Sequence, residues 1–327
     1  MNVLVVGGAG YIGSSVAAIL LQAGHGVVVY DNLSLGHRQA VPEGASLIIG
    51  DVGDSAALDD LFDTHRIDTV MHFAALIEAG ESVSVPERYF RNNVAGSLNL
   101  LETMLRHDVK RLVFSSSAAI FGDPAYVPVD EEAATNPANP YGESKLVVER
   151  MLAWMNRAHG LRYACLRYFN VAGATSPDRG EDHRPESHLI PLALKVALAQ
   201  RPSISIYGTD YPTPDGTSVR DYIHVADLAQ AHLLALEALE RHERLHYNLG
   251  NGSGFSVRQI LDTARKVTGH PIPAIEEPRR PGDTAALVAN SRRIREELGW
   301  APAQSDLKTI MASAWEWHKR HPHGYGD

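Results

Sequence analysis

An α/β fold on a doubly wound parallel sheet is what this chain predicts, and three features carry the prediction. Short apolar runs rich in Val, Ile and Leu alternate with helical segments through the first half. The runs are continuous rather than alternating, as strands buried on both faces are. The first of them, Val3 to Val6, breaks at Gly7 and opens a helix through a turn that carries Gly7, Gly10 and Gly13. A Gly-rich turn at a helix N-terminus offers unpaired N–H groups and the positive end of the helix dipole to an anion. With no side chains in the way, a pyrophosphate can approach the backbone closely.

Each element follows in order. The first helix runs from Ser14 to Gly24, and the second strand, Val27 to Tyr30, ends in Asp31. A carboxylate about 20 residues beyond the first glycines is placed to take the ribose hydroxyls of an adenosine and to repel a 2′-phosphate. The reading is a dinucleotide site that prefers NAD over NADP; the competing reading is a tight turn with no ligand. Leu47–Ile49 is a third strand ending in Gly50, Asp51 and Val52, and Ala57–Phe62 is a helix. Thr69–Ala75 is a fourth strand that runs out into small residues at Phe73, Ala74 and Ala75. A long helix spans Pro86 to His107, and the fifth strand, Arg111–Phe114, ends in Ser115, Ser116 and Ser117. A polar, Pro-rich loop over 123–140 leads to a helix from Tyr141 to His159, and Tyr163–Phe169 is the sixth strand.

This order is that of a Rossmann-type domain. After Asn170 the character changes: residues 174–187 are rich in Pro, Gly and charge, as a linker or mobile loop is, and the elements beyond read as shorter and less regular. Val225–Leu239 is an amphipathic helix and His246–Leu249 a strand, both candidates to return to the main sheet. The expected organisation is an NAD-binding domain over 1–170, with 221–250 returning to it. A smaller α/β carboxyl-terminal lobe, 171–220 and 251–327, is then left to bind substrate.

Composition narrows the classes of function. The 327 residues, 44% of them hydrophobic, suffice for a large buried core. A net charge of −9 and a pI near 6.0 speak against a nucleic acid or an anionic membrane as partner. One cysteine, Cys165, sits inside an apolar run, which excludes a disulfide framework and points to a reducing cytoplasm. Met1 leads directly into the first strand, leaving no room for a signal peptide. No apolar run approaches the length of a membrane-spanning helix. No His/Cys/Asp cluster shows metal-ligand spacing, so no catalytic metal is expected.

Ligands of open α/β sheets bind beyond the carboxyl ends of the strands. There stand the glycine turn, Asp31, Asp51, Phe73 to Ala75, Ser115 to Ser117, and Tyr168 to Asn170. Tyr141 and Lys145, four apart at a helix start, share one helical face. A free tyrosine, with a pKa of about 10, is a poor base at neutral pH, but a neighbouring ammonium favours its phenolate. A hydroxyl from Ser117 can share the substrate proton with Tyr141. That trio suits removal of a proton from a sugar or alcohol hydroxyl while a hydride leaves the same carbon. Ser115 and Ser116 read as backbone partners at the strand end rather than as catalysts.

The glycine turn, the serine triplet and the Tyr141/Lys145 pair resemble an extended short-chain dehydrogenase/reductase. Further stretches resemble the UDP-glucose 4-epimerase family: GAGYIG at 8–13, DNL at 31–33, NNV at 92–94, FSSSA at 114–118, RYFN at 167–170, GTSVRDYIHV at 216–225 and RRPGD at 279–283. The likeness runs end to end. It implies a tightly retained NAD that oxidises C4 of a UDP-hexose, with the 4-keto sugar turning over before the hydride returns to its other face. Ser117 and Tyr141 would then handle the 4-OH proton, and Lys145 would tune Tyr141. Cofactor contacts are implied for Gly7, Gly10, Tyr11, Ile12 and Gly13, for Asp31, Asn32, Leu33 and Ser34, and for Asp51 and Val52. They extend to Phe73, Ala74, Ala75 and Asn93, and to Ser115, Tyr141, Lys145, Tyr168 and Phe169. The UDP-sugar is assigned to Ser117, Asn170, His188, Leu189, Ile206 and Tyr207, together with Arg220, Arg280, Asp283 and Leu287. Arg supplies a planar donor fork for a diphosphate, although Arg220 and Arg280 also read as ion pairs with Asp221 or Asp283, and His188 as a plain surface or core histidine. A homodimer joined by two helices of the Rossmann domain is implied as well.

The family's frequent Lys after the Phe-Ala stretch is replaced by Ile77 and Glu78, and Ala119 and Phe121 stand where Thr and Tyr are frequent. Leu287, between the bulky aromatic of selective members and the small residue of permissive ones, extends the substrates to UDP-N-acetylhexosamines; alternatively it is a plain strand residue. Rival activities are a 4-epimerase of UDP-glucuronate or UDP-pentoses, a nucleotide-sugar 4,6-dehydratase, and a non-catalytic NAD-binding sensor.

Overall fold

In the computed structural model, which describes residues 1–280 and 283–326, strand and helix alternate as the apolar runs require. Pro281 and Gly282, in the middle of the RRPGD stretch, lie outside the described residues. The chain opens with β1 (Asn2–Val6), α1 (Tyr11–Gln22), β2 (Gly26–Asp31), β3 (Ser46–Ile49), α2 (Ser55–Thr64) and β4 (Thr69–His72). It continues through α3 (Ala79–Ser84), α4 (Pro86–Tyr89), α5 (Gly96–Arg106), β5 (Arg111–Ser117), α6 (Pro140–His159) and β6 (Arg162–Tyr168). Then come β7 (Asn170–Ala172), α7 (Leu189–Ala197), β8 (Ile204–Tyr207), β9 (Val219–Arg220), β10 (Tyr222–His224), α8 (Val225–Ala238) and β11 (Arg244–Leu249). The last elements are β12 (Phe255–Ser256), α9 (Val257–Thr268), β13 (Ala274–Glu277), β14 (Ala286–Leu287), α10 (Arg292–Leu298) and α11 (Leu307–Arg320).

Seven strands form one sheet in the order β11-β6-β5-β4-β1-β2-β3, of parallel Rossmann type. The order reverses at β1 and β4, which opens a crevice at their carboxyl ends, where Gly7 and Phe73 begin the loops. Val3, Leu4, Val5 and Val6 have no exposed surface, so β1 is covered on both faces as its unbroken apolar run requires. Leu4, Tyr30 and Phe114 of the sheet meet Leu58 and Leu61 of α2, Leu100 and Met104 of α5, and Val148 and Leu152 of α6. Each such side chain contributes about 1.5–3 kcal/mol by leaving water.

The helix read from Pro86 to His107 is three pieces. A π-helical turn, Phe90–Ala95, separates α4 from α5. Such turns interrupt α-helices mostly at functional places, and this one carries the buried side chain of Asn93.

A second pin holds β5, β6 and α6 together. The Glu149 carboxylate accepts hydrogen bonds from Ser116 Oγ at 2.6 Å and from Arg167 Nε at 3.0 Å and Nη2 at 2.6 Å. Its side chain and that of Arg167 are only 5% and 8% exposed. Loss of one partner from a buried pair costs about 3–5 kcal/mol, because the other charge is left uncompensated.

The chain divides into two compact units, residues 1–123, 134–167 and 229–247 in one and 124–133, 168–228 and 248–327 in the other. This departs from the boundaries expected from sequence at 124–133, 168–170, 221–228 and 248–250. Residues 124–133 join the second unit because Val129 pairs with Ala289 and exchanges backbone bonds with Val288 and Asn290. Residues 221–228 stay there too: β10 pairs with β7, and Asp227 accepts from the backbone of Ala303 and Gln304 and the hydroxyl of Ser305. β11 does enter the large sheet beside β6.

The second unit is more regular than its sequence reads. Ile190 and Leu194 of α7, Ile260 and Leu261 of α9, and Ile310, Met311 and Trp315 of α11 form its core. α9 starts with a capping box, in which Ser256 and Gln259 satisfy each other's backbone N–H groups. Asp306 caps α11 through Thr309 N at 3.0 Å. The stretch read as a linker is pinned as well. Tyr325 hydroxyl meets the backbone of Gly180, and Tyr325 N donates to Asp182 at 3.1 Å.

Candidate active site

Backbone geometry at the glycine turn explains its composition. Gly7 has φ +77°, and a Cβ there would sit 2.4 Å from Ala74 N; at Gly13 it would sit 2.3 Å from Gly7 O. Gly10 is the N-cap of α1 and offers no side-chain cap, so the first-turn amides of Tyr11, Ile12 and Gly13 face outward for an anion. β2 delivers Asp31, whose Oδ2 accepts from Ala9 N at 2.9 Å and Oδ1 from Leu33 N at 2.8 Å. Burial pushes its carboxyl pKa up, against the pull of those two amides. Each oxygen keeps a lone pair for a ribose hydroxyl. Asn32 donates to Asp51 at 2.6 Å and accepts from Ser34 N at 2.9 Å, so these three residues form one short platform, and Val52, next in sequence to Asp51, is buried. Phe73 and Ala74, followed by Ala75, leave β4 with their amides bonded to Val6 O.

The reacting groups gather at the end of β5. Ser117 Oγ accepts from Ala119 N at 3.1 Å and is hydrogen-bonded to the Tyr141 hydroxyl. Tyr141 sits in the first turn of α6, which Pro140 opens and Asn139 caps through Gly142 N at 2.9 Å. One turn on, buried Lys145 donates from Nζ to Ser115 O at 2.8 Å, 6.0 Å from the Tyr141 ring centre. Burial alone lowers the Lys145 pKa to about 7. The Tyr141 phenol is raised, first by burial and then by the Glu78 carboxylate, against the Ser117 hydrogen bond. The ammonium effect expected from the Tyr/Lys spacing is thus outweighed by desolvation within the protein itself.

Two cofactor assignments change character. Asn93 is consumed by the protein: it accepts from Leu76 N at 2.8 Å and donates to Leu76 O and Ser144 Oγ at 3.0 Å each. It therefore ties the loop after β4 to α6 rather than touching a ligand. Ser115 acts through its carbonyl, which anchors Lys145, and Ser116 through Glu149.

Within the second unit, Tyr168 and Phe169 are each 9% exposed, and Asn170 hydrogen-bonds Tyr222. Asp283 stands between two arginines: Arg280 Nε is 2.9 Å from Oδ2, and Arg220 Nη2 is 3.9 Å from Oδ1. Arg220 also donates to Val219 O and Thr284 O at 2.9 Å each, and Arg280 lies 4.7 Å over the Tyr207 ring. Leu287, half-buried, pairs with Arg220 across β14 and β9. The structure therefore brings Tyr207, Arg220, Arg280, Asp283 and Leu287 into one group. Ile206 is a correction: its side chain, 4% exposed, belongs to the core with Ile204 and Ile190, not to a ligand surface. His188 is the N-cap residue of α7, with Nδ1 2.9 Å from Glu186, and Leu189 packs against the same core.

Sequence reading missed Glu78 as a charge beside Tyr141, and missed the four-residue group Glu181, His183, Glu186 and His188. Its signal was the regular E-x-H-x-x-E-x-H spacing inside the supposed linker. Among the described residues no helix is long and apolar enough to cross a membrane.

Tyr141→Phe and Lys145→Met should each lower kcat by at least about a hundredfold, the scale of lost acid–base chemistry, and Ser117→Ala by less. Near-native turnover of Tyr141→Phe, measured in steady state, would remove Tyr141 from the reaction. Glu78→Gln tests the electrostatics. It withdraws a charge that disfavours the phenolate, so the rising limb of the kcat–pH profile should move to lower pH; an unmoved or upward-shifted limb contradicts this.

Comparison with known proteins gives the family. Residues 3–250 match the NAD dependent epimerase/dehydratase family. A UDP-glucose 4-epimerase of Streptomyces lividans is 55% identical over 325 residues, covering 99% of this chain and 98% of its own. A crystal structure of a UDP-glucose 4-epimerase superposes with a TM-score of 0.98 at 52% identity, over 100% of both chains. The Bifidobacterium longum UDP-glucose 4-epimerase, solved with NAD+ and UDP, superposes at 0.95 with 39% identity, over 99% of this chain and 100% of that one. On sequence and structure alike, the chain belongs to the NAD dependent epimerase/dehydratase family.

Proposed function

We infer that this chain is an NAD-dependent epimerase that interconverts UDP-glucose and UDP-galactose at C4. The observation that carries the reading is Ser117, Tyr141 and Lys145 joined at the end of β5, in the unit that also holds the glycine turn and Asp31. The fit to NAD is seen in the backbone: a Cβ would collide with Ala74 at Gly7 and with Gly7 at Gly13, so the turn closes tightly only with glycine, and the start of α1, with no side-chain cap, offers its amides to a pyrophosphate. Gly7, Gly10, Tyr11, Ile12 and Gly13 would hold that group, and Asp31 the ribose. When bound, NAD supplies reversible hydride storage for C4 of the sugar.

The remaining steps belong to the chain. Tyr141 takes the proton of the 4-hydroxyl, with Ser117 sharing it and Lys145 tuning the phenol. The transient 4-keto sugar turns over, and Tyr141 returns the proton when the opposite face is reduced. Asn170, His188, Leu189, Tyr207, Arg220, Arg280 and Asp283 would hold the UDP; for Ile206, with its side chain in the core, only the backbone is left to do so. The guanidinium forks suit its diphosphate. A dehydratase needs a further acid and base just after the serine, and Ala118 and Ala119 offer only methyl groups there.

A homodimer fits the surface of the first unit. α5 and α6 pack together and carry Leu98 and Trp154, 37% and 66% exposed, apolar anchors of the kind that interfaces bury. The lone buried Cys165 fits a reducing cytoplasm.

Protein purified without added cofactor should release NAD on heat denaturation and equilibrate UDP-glucose with UDP-galactose, read by chromatography. Dependence on stoichiometric NAD with accumulation of NADH would instead mean a dehydrogenase. Leu287 sets the tolerance for an acetamido group. The wild type should turn over UDP-N-acetylglucosamine as well, and Leu287→Tyr should lose that activity selectively, by about 1–3 kcal/mol in kcat/KM. Equal loss of both sugars would assign Leu287 to packing alone.

A further inference from the structure

We propose that Glu181, His183, Glu186 and His188 form a closed structural site for one divalent metal ion of the zinc type. The loop before α7 places these residues so that one ligand atom from each lies within 4.8 Å of all the others. His188 Nδ1 is 2.9 Å from Glu186 Oε1 and 3.2 Å from Glu181 Oε1. His183 Nδ1 is 3.3 Å from Glu181 Oε1 and 3.9 Å from Glu186 Oε2. Metal–ligand bonds of about 2.0–2.2 Å at tetrahedral angles set neighbouring ligand atoms roughly 3.3–3.6 Å apart. The His183–Glu181 distance matches that edge, and the distances from His188 Nδ1 to Glu181 and Glu186 Oε1 and from His183 Nδ1 to Glu186 Oε2 lie within about half an ångström of it.

Hydrogen bonding alone accounts for the arrangement less well. A neutral imidazole carries at most one proton on Nδ1, yet His188 Nδ1 stands within 3.2 Å of two separate carboxylates. Those carboxylates are 5% and 3% exposed, so their charge is held away from water. A dication bound by two neutral imidazoles and two carboxylates leaves the group electrically neutral. Two nitrogens and two oxygens with no thiolate match a borderline ion such as Zn2+, and four protein ligands leave no position open for catalysis.

The surroundings are built to hold the ligands in place. Glu186 Oε1 also accepts from Ser187 N at 2.9 Å and His188 N at 2.8 Å, which fixes its carboxylate plane. Tyr325 clasps Gly180 and Asp182 on the other flank. A cavity of about 350 Å3, lined by Glu181, Glu186, His318 and His323 among others, adjoins two of the four ligands. The ion would lock the loop that delivers His188 and Leu189 to the start of α7. The site stands on these ligands whether or not the chain epimerises UDP-sugars.

Metal-stripped full-length protein titrated with Co2+ tests it, followed by visible absorption and elemental analysis. The wild type should take up one Co2+ per chain with the intense d–d bands of tetrahedral coordination, give it up to Zn2+, and melt at a higher temperature when loaded. His183→Ala and Glu181→Gln, checked for folding by circular dichroism, should bind at least about a hundredfold more weakly, beyond the 10–100-fold of a lost outer partner. His323→Ala, on the cavity wall but outside the four, should bind as the wild type does. No stoichiometric uptake by wild type, a pale octahedral spectrum, or equal uptake by His183→Ala overturns the site. Should a variant fail to fold, the wild-type titration decides.

Discussion

A single buried carboxylate, that of Glu149, joins the three elements that bring the reacting groups together. It lies four residues beyond Lys145, as Lys145 lies four beyond Tyr141, so all three form one stripe on α6. Facing that stripe, the end of β5 answers residue for residue. Ser117 meets Tyr141, the Ser115 carbonyl meets Lys145, and Ser116 meets Glu149. Arg167 closes the set from β6. Rotation of α6 by a fraction of a turn would break three polar contacts at once, one of them to a charge enclosed by protein. The catalytic geometry is therefore set by a pair that takes no part in the chemistry.

The same enclosure sets the protonation landscape. Desolvation raises the phenol and lowers the ammonium, so the chain by itself favours neutral Tyr141 and brings Lys145 to about 7. The two pKa values are thus driven apart, toward a neutral phenol and a neutral amine, and nearby charges widen or narrow that separation. Glu78 is one such charge, on the side of the neutral phenol.

What the sequence could tell followed the range of the forces involved. Continuous apolar runs and the glycine turn are local signals, and they yielded the sheet, the helix carrying Tyr141 and Lys145, and Asp31 at the end of β2. Contacts that join distant segments were out of reach. Nothing in the sequence near Asn93 announces that its amide bridges Leu76 and Ser144, because the π-helical turn that aims it depends on α6. Ile206 was assigned to the ligand through the family resemblance, but alternation in β8 turns it into the core. Residues 124–133 looked like a loop of the first unit because their partners, 288–290, come much later in the chain. The carboxyl-terminal helices were legible in principle through Ser256, Gln259 and Asp306, cap residues whose spacing is diagnostic.

The position of β11 bears on how the molecule is made. The sheet's outermost strand on the β6 side is encoded at Arg244–Leu249, after the chain has already laid down β7 to β10. As the polypeptide leaves the ribosome, β6 therefore waits as a bare edge whose backbone groups are open to any other strand. Tyr163 to Leu166, wholly apolar and with 1% exposure or less once covered, would be the part left waiting. Completion of the nucleotide-binding sheet is in this way coupled to synthesis of the segment between, and a nascent chain halted before Arg244 leaves β6 as an adhesive edge.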